Sequence, residues 1–256
     1  MENKKFVITE ENVKEYCDII GAWIKEYIEN AHANGVVLGM SSGIDCSVVA
    51  GLCKNACINT HLVLLPYGTD MNNSKSYSDA MELINKFEFD YHMFDIKPAV
   101  DNIQISDDFI KNSNENNVKL ARANIRPRMR MIYLYQYAQI NNLLVIGTSN
   151  LSERTVGYST KWGDGASDFN PLGMITKREV YILAKYLGIP ECIINKKPSA
   201  DLWEGQTDEE ELGIKYEQID EFILNGTSGN EQIDNLIKIK NERAMHKLNP
   251  IPIFNK

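Results

Sequence analysis

The residues best placed to do chemistry together lie early in the chain, at Ser41, Ser42, Gly43 and Asp45, within the run Val36-Val-Leu-Gly-Met-Ser-Ser-Gly-Ile-Asp-Cys-Ser47. Ser41, Ser42 and Gly43 carry little side-chain bulk, so their backbone N–H groups can approach an anion. A helix starting just beyond them would point its positive end at the same place. Asp45 is the odd member, because a carboxylate facing a phosphate repels it unless a divalent cation sits between. Its presence suggests Mg²⁺ bridging to a polyphosphate. No Gly-Lys-Ser/Thr follows and no G-x-G-x-x-G is present, so neither of those two phosphate loops applies.

A second chemistry-bearing stretch spans residues 147–171, where charges, hydroxyls and glycines mix with little apolar periodicity. It does not read as a simple core element. Arg122, Arg126, Arg128 and Arg130 form the one basic cluster, enough for a local anion site and too little for a duplex. The chain as a whole is acidic, with a net charge of −8 and a pI near 5.1, which argues against a nucleic-acid surface. The histidines at 32, 61, 92 and 246 are scattered and propose no metal site. Five cysteines without a C-x-x-C pair give neither a disulfide framework nor a zinc site. Cys17, Cys53 and Cys57 fall on apolar helical faces and read as core residues.

The elements that must position these residues follow from periodicity. Residues 10–33 put Val13, Tyr16, Cys17, Ile20, Trp23, Ile24, Tyr27, Ile28 and Ala31 at helical spacing, with Thr9 as the expected N-cap and Gly35 past the end. Val36 to Met40 is short and β-branched, as a strand buried on both faces should be. A helix over 47–57, a strand over 62–65 stopped by Pro66, a loop over 67–73, a helix through Ala80 to Phe87 and a strand over 91–96 complete a β-α-β-α-β order. That order implies parallel pairing with right-handed crossovers. Residues 99–117 are polar, a helix over 118–140 is interrupted by Pro127, and Leu143 to Ile146 reads as a fourth buried strand. Thr176 and Glu179 form a capping box for a helix ending at Gly188, residues 195–210 read as a mobile acidic loop, and helices are expected over 216–224 and 230–246. In an open parallel sheet, ligands bind beyond the carboxyl ends of the strands, so the loops starting at Ser41, Pro66 and Thr148 must line one cleft. No apolar run reaches the ~20 residues a membrane span needs, and the N-terminal Met-Glu-Asn-Lys-Lys-Phe lacks signal-peptide character, so a cytoplasmic protein is expected.

The first motif resembles the S-G-G-x-D-S signature of the N-type ATP pyrophosphatases, with Ser41, Gly43 and Asp45 matching and Ser47 standing where a second hydroxyl often occurs. Ser42 replaces a glycine and Cys46 a serine. Together with G-T-S-N-x-S-E from Gly147, G-Y-x-T-K-x-G-D-G from Gly157 and D-x-x-P-L from Asp168, it resembles the ammonia-dependent NAD synthetases. The likeness extends to R-x-R-M at Arg128, T-K-R at Thr176, K-P-S-A-D-L at Lys197, D-E-E-E-L-G at Asp208 and His246-Lys247.

The resemblance implies a doubly wound α/β parallel sheet flanked by helices, Rossmann-like and of the adenine-nucleotide alpha-hydrolase kind, with residues 1–256 forming a single domain. It implies amidation of deamido-NAD through an acyl-adenylate, with ATP as co-substrate, Mg²⁺ as cofactor, ammonia as nitrogen donor and AMP and pyrophosphate as products. Carried over by position, Asp45 and Glu153 would hold Mg²⁺. Gly39, Met40, Ser41, Ser42, Gly43, Ile44, Asp45, Cys46 and Ser47, with Thr148, Lys177 and Ser199, would contact ATP. Arg128, Lys161, Asp168, His246 and Lys247 would hold deamido-NAD, and Asp164 would receive ammonium and help deprotonate it. Ser41, Asp45, Asp164 and Lys177 are thus the expected catalytic set. The resemblance also implies a homodimer, for which the Met-, Tyr- and Ile-rich helix 118–140 is a candidate face, and no membrane or nucleic-acid partner. With 256 residues taken up by this likeness, no nitrilase-like glutaminase domain is expected and free ammonia is the expected nitrogen donor.

Two other readings compete: another ATP pyrophosphatase, either an amidating synthetase or a tRNA modifier, and a non-catalytic adenine-nucleotide-binding protein whose motif has worn down at Ser42 and Cys46. The acidic surface speaks against the tRNA modifier, and the presence of Glu153, Asp164 and Lys177 against decay. A thiol is a weaker hydrogen-bond donor than a hydroxyl, so Cys46 should alter ATP affinity. Cys46→Ser is expected to lower the KM for ATP in steady-state assays, and an unchanged KM would remove that explanation.

Overall fold

A parallel sheet carries the chemistry-bearing loops. Its strands are β1 (Val36–Gly39), β2 (Thr60–Leu64), β3 (Tyr91–Met93) and β4 (Leu144–Val145), in the spatial order β3-β2-β1-β4. The computed structural model describes residues 7–68, 74–103, 105–199 and 207–254. Residues 1–6, positions 69–73 of the loop expected after Pro66, and positions 200–206 of the acidic loop, including the Ala200–Leu202 end of K-P-S-A-D-L, lie outside the described residues. Sheet order runs outward from β1 through β2 to β3 and then returns to β4 on the other side of β1. The reversal therefore falls between β1 and β4, the position where such sheets open a crevice.

Alternation along the strands divides the core into two layers. Val36, Leu38, Leu62 and Leu64 point into one cluster with Cys17, Ile24, Val49 and Leu183, while Val37, Val63 and Val145 point into the other with Met129 and Ala138. Successive strand residues face opposite sides, so β1 and the Leu62–Leu64 half of β2 are apolar at consecutive positions because both faces are covered. β3 is shorter than expected and its Tyr91 and Met93 are exposed, since it forms the sheet edge. The chain beyond it still bonds to the neighbouring segment through Phe94 N–H to Leu64 O and Ile96 N–H to Pro66 O.

Helix α1 (Val13–Asn30) buries Val13, Cys17, Ile20, Ile24 and Ile28, whereas Trp23 and Tyr27, expected on the same stripe, stand outward against Phe169. Thr9 does not cap this helix; its N–H is bonded to Asn12 Oδ1 one turn ahead of the helix start. α2 (Ile44–Asn55) starts at Ile44, earlier than the expected Ser47, because Gly43 is the last extended residue. Asp45 is thereby placed in the first helical turn. Cys57 lies beyond α2 and is exposed, correcting its assignment to the core, while Cys17 and Cys53 are buried.

α3 (Lys75–Phe87) is capped by Ser74, and the polar stretch 99–117 holds the end of α4 (Lys97–Asp101), all of α5 (Asp107–Ile110) and the start of the next helix. The long helix expected over 118–140 is two helices, α6 (Glu115–Ala123) and α7 (Ile125–Asn141), meeting at Asn124. Pro127 falls in the first turn of α7, where a missing N–H costs no hydrogen bond, so it begins a helix instead of kinking one. The remaining helices are α8 (Leu151–Val156), α9 (Lys177–Leu187), α10 (Glu191–Ile194), α11 (Asp208–Leu212), α12 (Tyr216–Asn225) and α13 (Glu231–Leu248). A third apolar cluster of Val156, Leu212, Ile214, Tyr216, Ile219 and Ile237 packs α8 against α11, α12 and α13.

The capping box at the start of α9 is present and buried. Glu179 accepts from Thr176 N–H and Thr176 Oγ1 at 2.7 Å each, and its other oxygen accepts from Ile8 N–H at 2.8 Å. Glu179→Ala strands those buried donors and is expected to destabilise the fold by about 2–4 kcal/mol, read as a lower midpoint in urea unfolding.

Candidate active site

The loops after β1, β2 and β4 line one cavity of about 590 Å³ at the carboxyl ends of the strands, through Ser41, Pro66 and Thr148. This is the cleft that the parallel β-α-β order requires.

At its floor three charged side chains from three helix starts meet. Lys177, the first residue of α9, lies 2.6 Å through Nζ from Asp45 Oδ2 and 3.1 Å from Glu153 Oε1. Asp45 sits in the first turn of α2 and Glu153 in the first turn of α8. Each acid is held from a second side. Asn150 donates to Asp45 Oδ1 at 2.8 Å, and it also forms the α8 capping box with Glu153, accepting the Glu153 N–H at 2.9 Å. Tyr216 OH lies 3.4 Å from Glu153 Oε1 and donates to Asp208 Oδ2 at 2.9 Å, while the Lys177 ammonium lies 4.9 Å from the Tyr216 ring centre. Lys177 is itself anchored by its N–H to Ser152 Oγ, whose hydroxyl donates to Asp220.

Burial governs the charge of this group. Lys177 is 3% exposed, and although burial lowers an ammonium pKa, Asp45 and Glu153 outweigh it and raise the group above its ordinary range. Burial, then the neighbouring charge of Asp45, raises the Glu153 carboxyl to about 7, with Lys177 opposing. Burial also raises Asp208, opposed by the Tyr216 hydroxyl and by Lys177.

The loop above the triad has the shape its small residues suggest. Ser42 has φ 60°, in the left-handed region, and is fully buried with Oγ 3.2 Å from Lys196 Nζ; the same ammonium reaches Ser76 Oγ at 2.9 Å. Gly43 N–H lies 3.3 Å from Ser41 Oγ, so Ser41 orders the loop from its exposed side. The Cys46 thiol donates to Gly43 O at 3.1 Å and the Ser47 hydroxyl to the same carbonyl at 2.8 Å. Ser47 is fully buried, and its hydroxyl serves the loop's own backbone. Gly39, Met40, Ser41, Gly43, Ile44, Asp45 and Cys46 line the cavity, whereas Ser42 and Ser47 lie behind it. Thr148 and Ser199 also line it.

The positions expected to hold the second substrate divide. Lys247 lines the cavity, but its ammonium is committed to Gly157 O and Ser159 O at 2.7 Å each, and burial lowers its pKa against the pull of Asp164. Asp164 lines the cavity, accepts the Thr160 N–H at 2.9 Å and is exposed. Surrounding protein nonetheless raises its carboxyl, with the Thr160 amide opposing. Arg128, Lys161 and His246 gather outside the cavity lining, joined by Arg128 Nε to Lys161 O at 3.3 Å and by Lys161 Nζ and His246 Nδ1 at 3.3 Å. Asp168 lies apart, its carboxylate accepting from Val145 N–H at 2.7 Å and Tyr135 OH at 3.3 Å. Arg126 and Arg130, members of the basic cluster, line the cavity, with Arg126 stacked 3.9 Å over the Tyr67 ring and Arg130 Nε bonded to Leu65 O. Asn150, Lys196, Asp208 and Tyr216 were not picked out individually in the sequence, although Asp208 opens the D-E-E-E-L-G segment.

A family model described as NAD synthase matches residues 16–249. The chain belongs to the NAD synthase family. Within that family it is 40% identical over 237 residues to an NH3-dependent NAD(+) synthetase of Finegoldia magna, covering 92% of this chain and 94% of the relative. It is 44% identical over 211 residues to one from Campylobacter jejuni, covering 82% and 80%. Among solved structures, NMN synthetase from Francisella tularensis superimposes with a TM-score of 0.84 at 36% identity, covering 95% of this chain and 99% of that one. The NH3-dependent NAD synthetase of Campylobacter jejuni does so with 0.72 at 33%, covering 97% and 100%. The four-stranded parallel sheet flanked by helices is the architecture expected from sequence.

The floor of this synthase-family cavity fits a hard divalent ion. Two carboxylates converge on one ammonium, which marks a place where positive charge is needed. Among the described residues no three His, Cys, Asp or Glu side chains gather tightly enough to hold an ion unaided. Asp45 and Glu153 would supply the one or two carboxylates that Mg²⁺ takes, the rest of its shell being water, some of it exchanged for phosphate when nucleotide is present.

Because the folded Glu153 carboxyl is raised, the stability it contributes is complete below its ordinary value of 4.5 and is lost as pH rises toward about 7. Without divalent cation, stability is expected to fall by up to about 1.4 kcal/mol per pH unit as pH rises from 4.5 to about 7, read as a falling melting temperature, and Glu153→Gln should flatten that fall.

Proposed function

We propose that this chain is a ligase that amidates deamido-NAD with ammonia, converting ATP to AMP and pyrophosphate through an acyl-adenylate. A carboxylate oxygen is a poor leaving group, whereas AMP leaves readily, so adenylation must precede attack by ammonia. The observation that carries this reading is the meeting of Asp45, Glu153 and Lys177 beneath a small-residue loop at a helix N-terminus. Gly39 to Ser47, with Thr148 and Ser199, form the ATP-binding surface, the α2 amides and Ser41 meeting the phosphates. Asp45 and Glu153 would hold Mg²⁺, which would supply positive charge against the departing pyrophosphate. Lys177 keeps its charge through the cycle because both neighbours are acidic, and it offers that charge to the α-phosphate. Asp164 takes the proton of ammonium, since the attacking nitrogen must be neutral. Arg128, Lys161, His246 and Lys247 orient the acid substrate, while Asp168, expected with them, lies apart with its carboxylate bonded to Val145 and Tyr135.

Residues 1–256 act as one synthetase domain. The enzyme works in the cytoplasm as a homodimer, a reading supported by the exposed Ile132 and Ile140 on α7 and by the absence, among the described residues, of any helix able to cross a membrane.

A second reading concerns the acid substrate. The Francisella tularensis NMN synthetase has a higher TM-score than the Campylobacter jejuni structure, and the Asp168 carboxylate is spent on Val145 and Tyr135 instead of facing the cavity. Both observations favour nicotinic acid mononucleotide, which lacks the second nucleotide half. Purified protein with ATP, Mg²⁺ and ammonium, offered each acid in turn, separates the two. A kcat/KM at least tenfold greater for deamido-NAD is expected, the reverse ratio selects the mononucleotide, and AMP release that needs neither acid overturns both.

A further inference from the structure

One buried acid in this cavity has no part in the reaction above. Asp208, the first residue of α11, is 5% exposed and lines the cavity. Its Oδ2 accepts from Tyr216 OH at 2.9 Å, while its buried Oδ1 has no hydrogen-bond partner among the described residues. A buried carboxylate oxygen in that state costs several kcal/mol in water it has lost, so such atoms are rarely left without purpose. Tyr158, the other phenol beside it, gives its single proton to Glu211 Oε2 at 2.9 Å, and Tyr216 cannot relieve it either. The Tyr216 phenol has a single proton, placed 2.9 Å from Asp208 and 3.4 Å from Glu153, so it serves Asp208 Oδ2 and leaves Glu153 weakly bonded.

The charge count points to what is missing. Asp45, Glu153 and Asp208 when ionised carry three negative charges around the single ammonium of Lys177, leaving a deficit that one divalent cation fills and a monovalent one does not. Asp208 is no direct ligand, since the acids do not close into a three-carboxylate set. Mg²⁺ retains several of its waters when bound by carboxylates, and those waters need acceptors.

We propose that Asp208 is the outer acid of the divalent-cation site, its unpartnered Oδ1 accepting a hydrogen bond from water on an ion held by Asp45 and Glu153, with Tyr216 fixing its orientation. The inference rests on reading those two acids as the direct ligands. Asp208 is thus a positioning residue whose contribution appears in metal affinity before any chemistry.

Titration of the substrate-free protein with Mn²⁺, following free Mn²⁺ by electron paramagnetic resonance, tests it. Wild type is expected to bind one Mn²⁺, and Asp208→Asn to weaken it at least tenfold with the fold intact by circular dichroism. A dissociation constant within twofold of wild type, or no one-to-one Mn²⁺ binding by wild type, overturns the proposal. Should Asp208→Asn not fold, Tyr216→Phe decides: weakening of at least threefold is expected, and an unchanged value overturns. Since no substrate is present, NAD formation with unaltered Mn²⁺ affinity sinks this inference alone, and the tenfold loss without NAD formation sinks the proposed function alone.

Discussion

The arrangement depends on one buried ammonium shared by two carboxylates. Taking Lys177 out of water costs several kcal/mol, and that cost is offset only because Asp45 and Glu153 approach within 2.6 and 3.1 Å. An ionic group of this kind contributes little net stability compared with apolar packing. What it does provide is registration. Asp45 opens α2, Glu153 opens α8 and Lys177 opens α9, so satisfying one cation fixes the relative position of three helix N-termini. Two of those helices follow β1 and β4, the strands flanking the reversal of sheet order, and the ionic contact is therefore possible only in this topology.

Around that contact the polar network is layered outward. Asn150 serves both acids, capping α8 through Glu153 and donating to Asp45. Ser152 links the backbone of Lys177 to Asp220 on α12, and Asp220 also accepts the Arg178 N–H at 2.8 Å. Each of these groups is buried or half-buried with its partners supplied, as a low-dielectric site demands. Asp208 Oδ1 stands out against such thorough pairing.

Much of the scaffold was legible because its signals are local. Apolar runs bounded by Pro66 or Gly147 mark strands, and the Thr176–Glu179 spacing marks a helix start that occurs where expected. Errors arose where tertiary contact overrides local pattern. Trp23 and Tyr27 fit the helical stripe of α1 but sit at its edge, where Phe169 from a distant loop receives them. Pro127 reads as a break within one helix until Asn124 is seen to end the first. The acids and the lysine at the floor could be picked out by family motif, while Tyr216 and Lys196 could not, since their partners lie 63 and 154 residues away. Arg126 and Arg128 are two positions apart on one helix, yet only the first lines the cavity. Spacing alone could not show which way the turn faces.

Ser42 shows how a departure from the family signature can be physically consistent. A non-glycine residue at φ 60° costs ~1–2 kcal/mol, a price glycine would avoid. Its hydroxyl, however, lies 3.2 Å from the Lys196 ammonium, and a hydrogen bond to a charged group contributes about 1.5–3 kcal/mol. The two magnitudes are comparable, so serine can be held here without net loss. Lys196 also reaches Ser76 near the start of α3, joining the loop after β1, the segment after α10 and the N-terminal turn of α3 through one ammonium. A glycine at 42 would free the backbone and cut that junction. Decay of a nucleotide loop would leave the substituted side chain without partners or blocking the cavity; Ser42 is fully buried, bonded and behind the cavity wall. The substitution therefore exchanges backbone freedom for a polar tie and leaves Ser41 and Gly43 lining the cavity, where a phosphate would meet them.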